Sequence, residues 1–162
     1  MKNVLKQSKI NGVDDFKRLN ITSTAFEYGE RVPSRFTCDG RNVNPPLDIK
    51  FIPKDAKCLA IMTIDYDAPL KPWIHWLLWN IPITHHVKED TNIGVSGIND
   101  FSNFNYSRPC PNLSTHHYYF KVYALNMLLN IPISTTYVQL EKAMSENIVA
   151  FGEIMGTYVR VK

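Results

Sequence analysis

Asp65, His75, His116 and Tyr118 stand in three separate apolar runs, and their side chains could bind an anion or move a proton. An imidazole, a phenol and nearby backbone N–H groups can hold a phosphate or carboxylate through charge-assisted hydrogen bonds. A carboxylate beside a histidine can orient the ring and raise its pKa. Buried ionisable groups need partners, because an unpaired one costs several kcal/mol. Groups of this kind in neighbouring runs therefore invite one explanation, that they meet at a single site.

The runs that must position them read as strands. Cys58–Asp65 is continuously apolar, as expected for a strand covered on both faces. Trp73–Asn80 and His117–Leu125 are rich in β-branched, aromatic and leucine residues. Side chains two apart share a face of a strand. That rule groups Leu59, Ile61, Thr63 and Asp65 on the first strand. On the second it groups Trp73, His75, Leu77 and Trp79. On the third it groups His116, Tyr118, Phe120, Val122 and Ala124.

Turn signals at Pro33-Ser34, Asp39-Gly40, Asn44-Pro45-Pro46, Pro53-Lys54-Asp55 and Asn80-Ile81-Pro82 punctuate short apolar runs. That rhythm predicts a mainly β domain, a sandwich or barrel. The stretch from about Ile83 to Leu113 lacks periodicity and reads as packed or functional loops. Val138, Leu140, Ala143, Met144 and Ile148 recur near helical spacing. They predict a helix over Tyr137–Ala150, with a capping box from Thr136 to Gln139. A last strand is expected over Gly156–Val161. Residues 1–20 are polar and basic and are expected to form a loosely held arm, leaving 21–162 as one domain.

The chain of 162 residues is 44% hydrophobic and 20% charged, with a net charge of +3. This is a globular balance. Its 18 basic residues are scattered, which argues against a specific nucleic-acid partner. No apolar stretch approaches the roughly 20 residues of a membrane span. The N-terminus lacks the apolar region of a secretory signal, so a cytoplasmic location is expected, or a periplasmic one if a signal has been removed. Cys38, Cys58 and Cys110 are odd in number and lack C-x-x-C spacing. They are expected to be free thiols suited to a reducing compartment.

The runs Asp65-Tyr66-Asp67-Ala68-Pro69, Pro72-Trp73-Ile74-His75-Trp76 and Asn80-Ile81-Pro82 resemble the D-P-D-A-P and W-x-H-W boxes of the phosphatidylethanolamine-binding protein family. Asn99-Asp100-Phe101, Arg108-Pro109-Cys110-Pro111 and His116-His117-Tyr118-Tyr119-Phe120 are similar to its N-D-F, G-P-C-P-P and H-R-Y-x-F elements. Phe36-Thr37-Cys38-Asp39-Gly40 and Asn44-Pro45-Pro46-Leu47 look like the opening of its bacterial and archaeal, Raf-kinase-inhibitor-like branch. Order and spacing agree across roughly Ile21–Lys162. The resemblance implies an antiparallel β-sandwich with an anion pocket built from Asp65, His75, His116 and Tyr118. It places Pro109 and Cys110 on the rim and implies a cis Ala68–Pro69 bond. It also implies a non-enzymatic binding protein with no cofactor. Such a protein would take a phosphate-bearing small molecule or headgroup, modulate a kinase or protease, and form a homodimer. Three positions depart from the pattern: Tyr66 replaces Pro, His117 replaces Arg, and Ser107-Arg108 replaces Gly-Gly. Arg108 is expected to narrow the mouth or add a cation.

Two other chemistries compete. Asp and His suffice for general-base hydrolysis, although no G-x-S-x-G elbow or P-loop is present. Asp65, Asp67, His75 and His116 could hold a metal if all four side chains met.

Overall fold

The computed structural model describes residues 17–160. β4 (Cys58–Asp65) is its centre, buried at every position. β5 (Trp73–Ile81) and β8 (His116–Leu125) flank it in antiparallel register. β9 (Ile148–Tyr158) pairs with β8, while the short β1 (Lys17–Arg18) and β7 (Val95–Ser96) close the two edges. The large sheet thus runs β1-β9-β8-β4-β5-β7, antiparallel except where β1 lies parallel to β9. A second sheet holds β2 (Asn20–Thr22), β3 (Leu47–Lys50) and β6 (His86–Val87) in the order β2-β3-β6.

Because successive side chains alternate, β4 feeds two cores. Leu59 and Ile61 face the small sheet, where they cluster with Ile21, Leu47, Ile49, Val87, Phe120 and Val122. Ala60, Met62 and Ile64 face the other way, toward α1 (Tyr137–Met144), through Leu140 and Met144. The continuous apolar run is the sequence trace of this double burial. Gly152 and Gly156 on β9 let the first core close. A Cβ at Gly152 would lie 2.4 Å from the Leu19 carbonyl oxygen, and one at Gly156 would lie 2.5 Å from Val32.

The mainly β architecture and the three strands match the expectation within a residue. The capping box of α1 is formed, with both the Thr136 side chain and the Gln139 side chain engaged. Its C-terminal end is corrected: the helix stops at Met144, and Ile148–Ala150 open β9 instead. Ile148 and Val149 are β-branched and pairing with β8 satisfies their backbone, so the sheet outcompetes two further helical turns. β9 consequently begins eight residues before the expected Gly156. Of the expected arm, residues 1–16 lie outside the described residues, and Lys17–Arg18 is strand, continued by Leu19 N–H donating to Phe151 O.

The thiol expectation is also corrected. Cys38 and Cys110 form a disulfide, and Cys58 is free and buried. An odd count guarantees only that one sulfur is left over, and pairing across 72 residues is set by tertiary structure. The argument for a reducing compartment falls with it. Among the described residues no helix is long and apolar enough to cross a membrane. The Ala68–Pro69 bond is trans, since the described residues contain no cis peptide. An Asx turn, Asp67 N–H to Asp65 Oδ1 at 2.8 Å, shapes the box without needing the minor isomer.

The disulfide joins the 34–41 segment to the loop bearing Cys110, where Cys38 N–H also donates to Pro109 O. Closing a loop of this length restricts the unfolded chain strongly. Replacing both Cys38 and Cys110 with Ser is expected to lower the unfolding free energy by about 2–4 kcal/mol. Urea denaturation without reductant measures this, and an unchanged midpoint would refute the cross-link's contribution.

Candidate functional site

β4 and β8 place two of the four candidate groups by register alone. Asp65 is paired with Tyr118 across the strands, at the ends where both leave the apolar core. His116, two residues before Tyr118, shares its face, and its Nδ1 donates to Asp65 Oδ2 at 2.7 Å. The second Asp65 oxygen accepts from Asp67 N–H. Asp65 therefore orients His116 and has both oxygens engaged. The rings of His116 and Tyr118 stack at 6.4 Å. Tyr118 is 1% exposed, and burial first, then the Asp65 carboxylate, pushes its phenol well above the ordinary range. It remains a hydroxyl that can donate.

His75 arrives by a different route. Ile64 pairs with Ile74, but Thr63 pairs with Trp76, so β5 carries one extra residue there. That residue is His75, and the irregularity is a β-bulge. It corrects the face expected from strict alternation. Leu77 and Trp79 belong to the core under α1, whereas His75 turns toward the other face and meets Tyr118 edge-on at 5.3 Å. A second irregularity, at Asn80 with φ 51°, again changes the phase, so that Leu78 and Ile81 share one core. Asn80 donates to Leu129 O and accepts from Leu129 N–H, both at 2.8 Å.

The bulge leaves the His75 backbone free of β4, and the 99–107 loop takes it up. Ser107 N–H donates to His75 O at 2.9 Å, and Asn99 Nδ2 donates to the same oxygen at 3.0 Å. The His75 ring closes the exchange, with Nδ1 donating to Ser107 O at 2.5 Å. A carbonyl oxygen can only accept, so the Nδ1 proton is fixed and Nε2 is the ring nitrogen left for a ligand. Burial pulls the His75 pKa below the ordinary histidine value, against the opposing pull of the Ser107 carbonyl and the Asp65 and Asp100 carboxylates. Of the two histidines that Asp65 could orient, it bonds His116; its charge still pulls the His75 pKa upward, but burial outweighs that pull.

Sequence reasoning left out three residues that build the site. Asn99 is the hub of its loop. It donates to His75 O, Asn105 O and Ser107 Oγ, and its Oδ1 accepts from Phe101 and Asn103 N–H. Phe101 lies edge-on to both His75, at 5.2 Å, and Trp73, at 5.7 Å. Ser107 supplies the carbonyl that fixes the tautomer. The N-D-F motif was visible, but the bonds that give it meaning are non-local. Asp100 is bonded through Oδ2 to Ile74 N–H and through Oδ1 to Lys71, which anchors the loop to β5.

The two departures beside the box answer each other. Asp67 Oδ2 accepts from both the backbone N–H and the Nδ1 of His117, each at 2.7 Å. Burial would raise the Asp67 pKa, but these two His117 bonds outweigh it and hold the carboxyl below its usual range. Thus Asp65 and Asp67 each engage one of two adjacent histidines. Asp67 is spent on His117, so the four-ligand metal arrangement does not assemble. Among the described residues no group of three or more His, Cys, Asp or Glu is arranged to hold a metal ion. Pro109 is buried and Cys110 exposed, in the loop that follows Ser107 and is pinned by the disulfide; Arg108 is exposed.

The buried neutral His75 has a consequence for acid stability. Below the ordinary histidine pKa of about 6.5 the unfolded chain takes up a proton at this ring that the folded chain resists. The unfolded state then binds more protons, so stability falls as pH drops below that value. His75→Asn keeps a donor for Ser107 O but cannot titrate. Its urea midpoint is expected to fall less steeply than wild type between about pH 7 and pH 5, the difference being at most about 1.4 kcal/mol per pH unit. Parallel pH profiles would contradict the assignment.

This geometry can be set beside known proteins. The family model for phosphatidylethanolamine-binding proteins matches residues 22–159. A UPF0098 protein of Pyrococcus abyssi is 41% identical over 149 residues, covering 85% of this chain and 84% of its own. One from Chlamydia muridarum is 40% identical over 147 residues, covering 86% and 98%. The crystal structure of a phosphatidylethanolamine-binding protein homolog from Chlamydia trachomatis superposes with a TM-score of 0.85 at 35% identity, covering 89% of this chain and 99% of that one. Escherichia coli YbcL, described as a new member of the mammalian family, gives 0.82 at 27% identity, covering 90% and 100%. A match across nearly all the described strands, together with these relatives, places the chain in the phosphatidylethanolamine-binding protein family.

Proposed function

We propose that this protein binds a small phosphate-bearing anion, free or as a headgroup, between His75, His116 and Tyr118, with Asp65 as the positioning carboxylate and Pro109 and Cys110 on the rim. The observation that carries this reading is the state of His75. Its Nδ1 is committed to Ser107 O, burial lowers its pKa, and among the described residues its Nε2 has no hydrogen-bond partner. An arriving anion offers the acceptor that makes protonation of Nε2 favourable. The resulting N⁺–H···O⁻ contact is stronger than a neutral hydrogen bond. The Tyr118 hydroxyl adds a second donor, and His116 a third when it is protonated.

The same bonds weigh against catalysis. Both Asp65 oxygens are occupied, so it is not a free general base. Ser107 Oγ is buried and accepts from Asn99, with no base beside it, which is not the setting of an activated nucleophile. We therefore read the protein as a sensor or carrier whose liganded form acts on a partner protein, in keeping with a non-enzymatic role.

Anion binding coupled to proton uptake gives a signed pH dependence. Sulfate does not titrate near neutrality, so it reports the protein's proton alone. Its affinity is expected to rise about tenfold per pH unit as pH falls toward the His75 pKa. His75→Asn should weaken sulfate and O-phosphoethanolamine binding by about 10–100-fold, the worth of one charged hydrogen bond, while the protein stays folded. NMR titration over about pH 5.5–7.5 measures both. Equal affinities in wild type and variant, or a flat pH profile for sulfate, would overturn the proposal.

A further inference from the structure

A cleft of about 330 Å³ borders the 99–107 loop. Asn42, Asn44, Asp90–Asn92, Ser96, Asn103 and Asn105 line it, together with the buried rings of Trp76 and Tyr106, which form its floor. None of these residues is among the four that form the anion pocket. The two floor rings are buried and meet edge-on at 5.8 Å, and the Tyr106 hydroxyl donates to Phe36 O. The floor is therefore fixed and apolar, and the walls are polar.

The wall chemistry is unusual in being amide-rich and nearly neutral. Asp90 is its one carboxylate, and it is 3.5 Å from the Arg41 guanidinium. An anion would meet that carboxylate. A cation would find one carboxylate already paired, where a hard ion such as calcium takes six to eight oxygens. Asn44 is spent on structure, bonding Pro45 O, Lys88 O and Thr91 N–H. Other groups are not spent. Asn42 Oδ1 is buried without a hydrogen-bond partner, held there by a backbone at φ 57°. Among the described residues the side chains of Asn92, Ser96 and Asn105 also make no hydrogen bond within the chain. Each amide offers two donors and an acceptor, and the serine hydroxyl offers both.

A ligand that satisfies such walls must itself donate and accept at close spacing, carry no charge, and present an apolar patch to the floor. Vicinal hydroxyls on a saturated ring do this. The cleft would otherwise hold on the order of ten waters, at about 30 Å³ each, and a single such ring can replace them. We propose that this cleft is a second binding site, distinct from the anion pocket, for a neutral polyhydroxylated ring of monosaccharide size. The free amides of Asn92 and Asn105 grip its hydroxyls, and the Asn42 side chain, whose buried Oδ1 lacks a partner, gains one by turning toward the ring.

The test uses methyl glucoside, methyl mannoside and methyl galactoside as probes, with calcium chloride as the charged control. Chemical-shift perturbation is read at Trp76, Tyr106 and the Asn side-chain amides of ¹⁵N-labelled full-length protein. At least one glycoside is expected to produce saturable shifts at these signals with a Kd in the millimolar range, while calcium chloride leaves them unmoved. Asn92→Ala and Asn105→Ala remove exposed side chains that hold nothing else, and each should weaken binding by about tenfold without changing the rest of the spectrum. Non-saturating shifts with all three glycosides, wild-type affinity in both variants, or a stronger response to calcium at these signals would overturn the proposal.

Discussion

The pocket depends on one extra residue in a strand. Without the bulge in β5, alternation would send His75 to the same side as Leu77 and Trp79, under the helix. With it, the imidazole faces Tyr118, and its backbone carbonyl is freed for Ser107 and Asn99. The reciprocal pair between His75 and Ser107 then fixes the ring, its tautomer and the loop that carries the rim in one step. A bulge is a common way to re-aim a side chain near a site, and here the direction of the imidazole follows from it.

Two kinds of constraint converge on this point. The strand register of β4 and β8 delivers Asp65, His116 and Tyr118 on a stiff scaffold, where their separation is set by backbone pairing. The irregular segment between β7 and β8 delivers the rest, and it is rigid for a different reason. The Asn99 side chain bonds four partners in its own loop and His75 O on β5, Asp100 is tied to β5, and the Cys38–Cys110 bridge fastens the following turn. The buried polar side chains of this loop, Asn99 and Ser107, are satisfied by hydrogen bonds, as buried polar groups must be. The stretch without periodicity is thus held by side-chain hydrogen bonds in place of a strand ladder.

Much of the fold was legible because its signals are local. β4 could be read from an unbroken apolar run, β5 and β8 from β-branched and aromatic content, and the start of α1 from Thr136 and Gln139. The four pocket residues were legible as polar groups at the tips of apolar faces, and motif resemblance selected the same four. What escaped was non-local. The bulge is a mismatch between two strands and cannot be seen in either. The partner of Asp65 could have been either histidine, and only the register decides for His116. The disulfide joins residues 72 apart, and the end of α1 is set by β8 claiming Ile148. Asn99 read as one member of a motif, whereas its five bonds exist only once the loop has closed.

The most direct test is the protonation state of the His75 ring, read from its two nitrogen shifts in long-range ¹H–¹⁵N spectra. Near pH 7, without anions, the ring should be neutral with its proton on Nδ1, and saturating sulfate should convert it to the doubly protonated form. A proton on Nε2 in the free protein, or a ring that stays neutral once sulfate is bound, would contradict the account at its root.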